Sequence, residues 1–176
     1  DGSENTAVGK SALYSNVSGN KNTAVGRQAL SSNIGSNNTA IGFQALQSNT
    51  GGTYNTSVGY ESQKNLIVSS ADTAKGHNTS LGYQALMGAS SGTGDQNTAI
   101  GSGPLQSITT GTNNIGIGVW TLQNTTAGSR NVAVGDYALR NNTGNGSGEN
   151  ITGSGNVALG YRALSTNITG NNIIAI

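Results

Sequence analysis

Asn22-Thr23-Ala24-Val25-Gly26-Arg27-Gln28-Ala29-Leu30 decides the fold, because the rest of the chain repeats it. Near-copies begin at Asn5, Asn38, Asn55, Asn78, Asn97, Asn114, Asn131 and Asn156, and a last one breaks off at Ile176. Aligned on the aliphatic residue before the glycine, they fall at Val8, Val25, Ile41, Val58, Leu81, Ile100, Ile117, Val134, Leu159 and Ile176. The steps between them are 17, 16, 17, 23, 19, 17, 17, 25 and 17 residues. A self-similar period of this size marks a stacked array, in which each unit buries its neighbour's face. Residues 1–176 are therefore expected to form one solenoid domain. The chain opens just before one repeat and stops inside another, so a piece of a longer fibrous protein is expected.

Each column of the repeat carries a physical constraint. Two places before the aliphatic residue stand Thr6, Thr23, Thr39, Thr56, Thr79, Thr98, Ile115, Val132, Val157 and Ile174. All are β-branched, which favours a strand. Side chains alternate along a strand, so this column shares a face with the aliphatic one. The residue between them is small throughout, from Ala7 and Ala24 to Gly116 and Ala175. Each short strand thus has one bulky face and one nearly bare face. The bare face lets another backbone come close, either the opposite side of the same coil or a neighbouring chain, while the threonines are expected to be buried with the aliphatic residues whose face they share. Gly26 and its eight equivalents suit a positive φ or a close backbone approach. Asn22 and its equivalents suit a left-handed turn, or hydrogen bonding along the stack. Ala29-Leu30 and its copies form a second apolar column, on a second short strand or a half-turn, and Ser62-Gln63 breaks it. Polar residues such as Ser32-Asn33 then form the return turn. Asn22, Val25, Gly26, Ala29 and Leu30 are accordingly assigned structural roles. A helix is disfavoured, since interior glycines cost about 1 kcal/mol each.

Composition bounds the rest. Hydrophobic residues make up 33% of the 176, charged residues 9%, and glycine counts 28. Few large side chains are available, so burial per residue is modest. A thin core serves along the axis, and self-association is expected to supply what is missing across it. The formal net charge of +1 gives no basic stripe for nucleic acid. There is no cysteine and no apolar run of membrane-spanning length, so neither disulfides nor membrane insertion by this segment is expected.

The recurring Asn-x-Ala-Val/Ile-Gly-x-x-Ala string, as in Asn22 to Ala29, resembles the head repeats of trimeric autotransporter adhesins, the YadA-like head. The longer Asn-Thr-Ala-Val-Gly-x-x-Ala-Leu-x-Ser-Asn form, as in Asn22 to Asn33, resembles repeats of bacteriophage tail fibres and related bacterial surface fibres. The resemblance covers nearly the whole chain. It implies an all-β, left-handed parallel β-roll of about ten short coils, with three chains intertwined as a homotrimer. The family's coils are shorter than 16 or 17 residues, so an extended return turn is implied here.

Candidate contacts lie where the pattern varies. Trp120 and Tyr137 sit at equivalent positions of successive coils and could stack against a sugar ring. Phe43, Tyr60, Tyr83 and Tyr161 all follow the repeat glycine directly, and a shared column of that kind points to packing. Three spacers exceed the norm. The first holds Leu66, Ile67 and Val68, which need a partner chain or groove for burial. The second runs from Met87 to Gln96, and the third holds Asn145 and Glu149. Insertions of this kind map to loops, often on a binding face. His77 is the only histidine, no carboxylates recur in register, and the glycine-rich stretch near Asn145 has no lysine after it. Neither a metal site, a cofactor, a catalytic triad nor a phosphate loop is expected. What is expected is a non-enzymatic, extracellular fibre segment on a bacterial surface or phage virion, binding a cell-surface glycan or protein. The alternatives are a shaft without a ligand of its own and an ice-binding solenoid. Ice binding is disfavoured if the threonines are buried.

Overall fold

The computed structural model describes residues 2–65, 76–88, 94–143 and 153–176. Leu66, Ile67, Val68, Asn145 and Glu149 lie outside the described residues. The chain is an all-β solenoid of about nine turns. Its ten strands are β1 (Thr6–Val8), β2 (Thr23–Val25), β3 (Thr39–Ile41), β4 (Thr56–Val58), β5 (Thr79–Leu81), β6 (Thr98–Ile100), β7 (Ile115–Ile117), β8 (Val132–Val134), β9 (Val157–Leu159) and β10 (Ile174–Ala175). They form one parallel sheet in chain order. Pairing holds the repeat in register: Thr23 faces Thr39, Ala24 faces Ala40, and Val25 faces Ile41. Longer spacers leave the register unchanged, since Thr56 still pairs with Thr79 across the 23-residue step.

The strand faces are the reverse of the sequence expectation. Ala24, Ala40, Ser57, Ser80, Ala99, Ala133 and Ala158, all from strand centres, are buried. The aliphatic column points outward, with Ile41 41%, Leu81 49% and Ile117 37% exposed. The threonine column is half-buried or exposed beside it. The reason is the second apolar column. Leu30, Leu46, Leu86, Leu105, Leu122 and Leu139 are completely buried and fill the coil interior. Only a small side chain fits between such a leucine and the strand backbone. Each buried leucine contributes roughly 2 kcal/mol, so the interior belongs to the leucines.

That second column is a half-turn rather than a strand. Gln28 and Leu30 have φ of 60° and 50°, and the pair recurs as Gln44 and Leu46, then Gln84 and Leu86. Left-handed backbone costs roughly 1–2 kcal/mol per non-glycine residue. Bonds between coils offset that cost. The Gln28 amide donates to Lys10 O (2.9 Å), and the Leu30 amide donates to Ala45 O (3.0 Å).

Asn22 and its equivalents act through their side chains. The left-handed residue is the one before each asparagine, such as Lys21 (φ 57°) or Asn113 (φ 57°). Apart from Asn55, each asparagine closes its own coil with a bond to a glycine carbonyl and stacks on the next. Asn114 Nδ2 donates to Gly128 O (2.9 Å), while its Oδ1 accepts from the Asn131 amide (3.1 Å). A second, interrupted ladder runs through the return turns, where Asn49 Nδ2 donates to Asn33 Oδ1 (2.8 Å). Ile108 and Thr125 occupy the equivalent positions farther along, and both are buried.

Among the described residues the core divides in two at the fourth coil, the one that begins with β4. One apolar cluster gathers Ala24, Leu30 and Leu46, and the other runs from Leu86 to Ala158. Between them lie the buried polar residues Ser57, Ser62, Gln63 and Ser80. Ser62 Oγ donates to Ser80 Oγ (2.8 Å), and Gln63 Nε2 donates to Asn55 Oδ1 (3.1 Å). The break in the Ala-Leu column is thus a hydrogen-bonded plug.

Candidate functional site

Side chains two, three and six places after the aliphatic residue emerge on the half-turn and repeat along the rod. In the N-terminal half they build a stack of rings. Phe43 and Tyr60 lie 5.2 Å apart at 18°, and Tyr60 and Tyr83 lie 5.5 Å apart at 10°. Arg27 caps the stack, with its guanidinium carbon 5.7 Å from the Phe43 centroid. Phe43, Tyr60 and Tyr83 pack as expected of their column, whereas Tyr161 stays 67% exposed and meets Tyr137 edge-on. Tyr60 stacks on a ring on both sides and Tyr83 on one, and the two remain 47% and 53% exposed.

Farther along, Trp120 and Tyr137 are neighbours as expected, 5.4 Å apart, but their rings meet at 79°. Tyr137 and Tyr161 are 6.0 Å apart at 86°. Guanidinium groups alternate with the rings. Arg140 lies over Trp120 (5.4 Å) and Tyr137 (5.3 Å), and Arg162 lies over Tyr137 (5.7 Å) and Tyr161 (5.2 Å). The two rings therefore do not form a flat platform. They hold two cations in place, at roughly 0.5–1 kcal/mol per contact.

Arg140 is also the terminus of a side-chain relay. Its Nε donates to Gln123 Oε1 (2.9 Å). Gln123 donates to Gln106 (3.0 Å), Gln106 to Gln84 (2.8 Å), and Gln84 to Glu61 Oε2 (2.8 Å). Lys64 closes the far end on Glu61 Oε1 (2.7 Å). Every amide points the same way, from the cation at Arg140 to the carboxylate at Glu61, so the bonds polarise one another. The Lys64 hydrogen bond, aided by Gln84, holds the Glu61 carboxyl below its ordinary range against a partial desolvation penalty.

Beside the rings is a shallow hollow of about 220 Å³, lined by Tyr137, Arg140, Asn141, Arg162, Ser165 and Thr166. Two guanidinium groups and four hydroxyl or amide side chains suit an oxyanion. Arg140, Arg162 and the glutamine relay are the features that the sequence reading missed. Their signal is there when the sixth column is read downward: Gln106, Gln123, Arg140. His77 stacks on Tyr54 (5.2 Å) and lies 3.9 Å from Asp95. Among the described residues no group of three histidine, cysteine or acidic side chains gathers to hold a metal ion, and no helix is long and apolar enough to cross a membrane. No protein-family model, curated protein or solved structure matches the chain.

Proposed function

We propose that this chain is a segment of an extracellular fibre on a bacterium or phage virion, non-enzymatic, which recognises a glycan or protein on a target cell. The fibre is a left-handed, intertwined homotrimer. The observation that carries this reading is the outward bulky face of the sheet. Val8, Ile41, Leu81, Ile117, Val134 and Leu159 are all more than a third exposed in the single chain. They belong to one in-register column that runs from β1 to β9, with a β-branched column beside it. A continuous strip of this kind on a thin rod marks an interaction surface. Three chains with their strips turned to a common axis bury all three and close the assembly. Three copies of any weak site on the outside then act together, which raises avidity without a new contact.

Light scattering on a sizing column tests the assembly. The expected mass is three times 17.6 kDa. Ile117→Asp with Val134→Asp should convert trimer to monomer. A stable wild-type monomer would refute the trimer. One observation favours a second reading in that event. Thr23, Thr39, Thr56, Thr79 and Thr98 stand on the outward face in register, as an ice-binding surface requires. Ile115, Val132, Val157 and Ile174 continue the column without hydroxyls, which suits chain packing better. Thermal hysteresis of the isolated segment would decide for ice. A trimer that binds no cell and no glycan would be a shaft.

A further inference from the structure

We propose that Arg140 and Arg162 form an oxyanion-binding site for the carboxylate or sulfate group of an acidic glycan, with Tyr137, Asn141, Ser165 and Thr166 around it. This rests on the adhesion reading above and names the chemistry of its ligand. Three observations carry it.

First, both guanidinium groups are pre-positioned. Arg140 lies within 5.4 Å of the Trp120 and Tyr137 centroids, and Arg162 within 5.7 Å of those of Tyr137 and Tyr161. An arginine clamped between rings loses less side-chain freedom when it binds. Its planar fork of N–H groups matches a carboxylate or sulfate. Second, among the described residues no carboxylate pairs with either guanidinium group. The described ion pairs involve Lys64 with Glu61 and His77 with Asp95, and none involves Arg140 or Arg162. Asp136 is the adjacent acid in the chain, and its Oδ1 already accepts the Val119 amide (2.8 Å). Arg140 spends only its Nε, on the neutral Gln123 amide (2.9 Å), which leaves its terminal N–H groups. Third, both arginines line one hollow of about 220 Å³, with hydroxyl and amide groups on its wall. That space accepts one charged substituent and part of a sugar ring, and the polar wall suits the neighbouring hydroxyls.

The geometry also accounts for Trp120 and Tyr137 being present without forming a platform. Their faces hold cations rather than a pyranose ring. Recognition through charge is sensitive to salt. Three such sites per fibre would make a weak contact effective on a polymer.

The test measures binding of the intact protein to immobilised dextran, dextran sulfate and polygalacturonate, at low and at physiological salt. These polymers are neutral, sulfate-bearing and carboxylate-bearing. Retention on either acidic polymer, but not on dextran, is expected, and the preferred polymer identifies the anion. Arg140→Gln with Arg162→Gln should weaken that binding at least tenfold. Arg140→Lys with Arg162→Lys should recover only a minor part, because the charge returns without the fork. Arg130→Gln removes the same charge elsewhere on the rod and should leave binding unchanged. Melting curves of each variant confirm that the rod is intact. The site is overturned if the folded double glutamine variant binds acidic polymer as well as wild type. It is equally overturned if Arg130→Gln weakens binding as much. Whole-cell binding separates this inference from the one beneath it. Cells bound by wild type and double variant alike would leave adhesion standing and remove the oxyanion site, whereas wild type binding neither cells nor any polymer would remove both.

Discussion

Replacing Gly42 and Gly160 by alanine, one at a time, isolates what the repeat glycine does. Both have a φ that side-chain-bearing residues rarely adopt, +135° and +110°. Backbone strain of about 1–3 kcal/mol is therefore expected in each variant. Their surroundings differ. A Cβ on Gly42 would sit 2.2 Å from the carbonyl oxygen of Gly59 in the next coil, whereas a Cβ on Gly160 would meet nothing within 4 Å. Ordinary contact begins near 3.4 Å, so coils 3 and 4 must part locally by about 1.2 Å. The Gly59 amide to Ile41 O and the Glu61 amide to Phe43 O bonds, both 2.8 Å, span that gap. Stretched to about 4 Å they are no longer hydrogen bonds. Two lost bonds at about 1 kcal/mol each put Gly42→Ala roughly 2 kcal/mol below Gly160→Ala. Urea unfolding followed by far-ultraviolet circular dichroism measures both, provided that the two variants unfold with the same slope. Equal destabilisation would refute the reasoning. It would mean that φ alone selects glycine and that coil spacing tolerates a methyl group.

Other perturbations probe the core and the relay. Gln63→Leu should stabilise the fold by about 1 kcal/mol and so raise the unfolding midpoint. It joins the two apolar clusters while Asn55 Oδ1 keeps the Asn78 amide (3.1 Å), and a lower midpoint would show that the plug is required. Asn97→Ala should cost roughly 2–4 kcal/mol, because the buried Asn114 amide and Gly111 O both lose their partner. Urea titration checks it, and a cost under about 1 kcal/mol would show that water replaces the amide. Glu61 supplies a pH dependence. Its carboxyl is held below the ordinary glutamate range, so its contribution is present above that range and is lost as pH falls through its lowered value. Melting temperature should therefore drop on acidification by more in wild type than in Glu61→Gln, and identical pH profiles would contradict the role given to Lys64.

The sequence by itself determined the repeat, the parallel stack and its register. Those are one-dimensional properties. Asn22, Val25, Gly26, Ala29 and Leu30 recur at a nearly fixed period, and identical coils pair only in register. Even the stacking of Phe43, Tyr60 and Tyr83 follows from their common column. The adjacency of Trp120 and Tyr137 was legible in the same way. Which face lies inside was not legible. The β-branched and aliphatic columns outweigh alanine in any local reading, yet Ala24 and Ala40 are buried while Ile41 is 41% exposed. The coil interior is narrow, and Leu30 and Leu46 arriving from the half-turn already fill it. Only the closed coil reveals that competition for space. The candidate site divides likewise. The ring positions are a matter of period, but the placement of Arg140 and Arg162 among them depends on the half-turn. Alternating left- and right-handed backbone there brings the third column of one coil against the sixth of another, which no strand alternation would do.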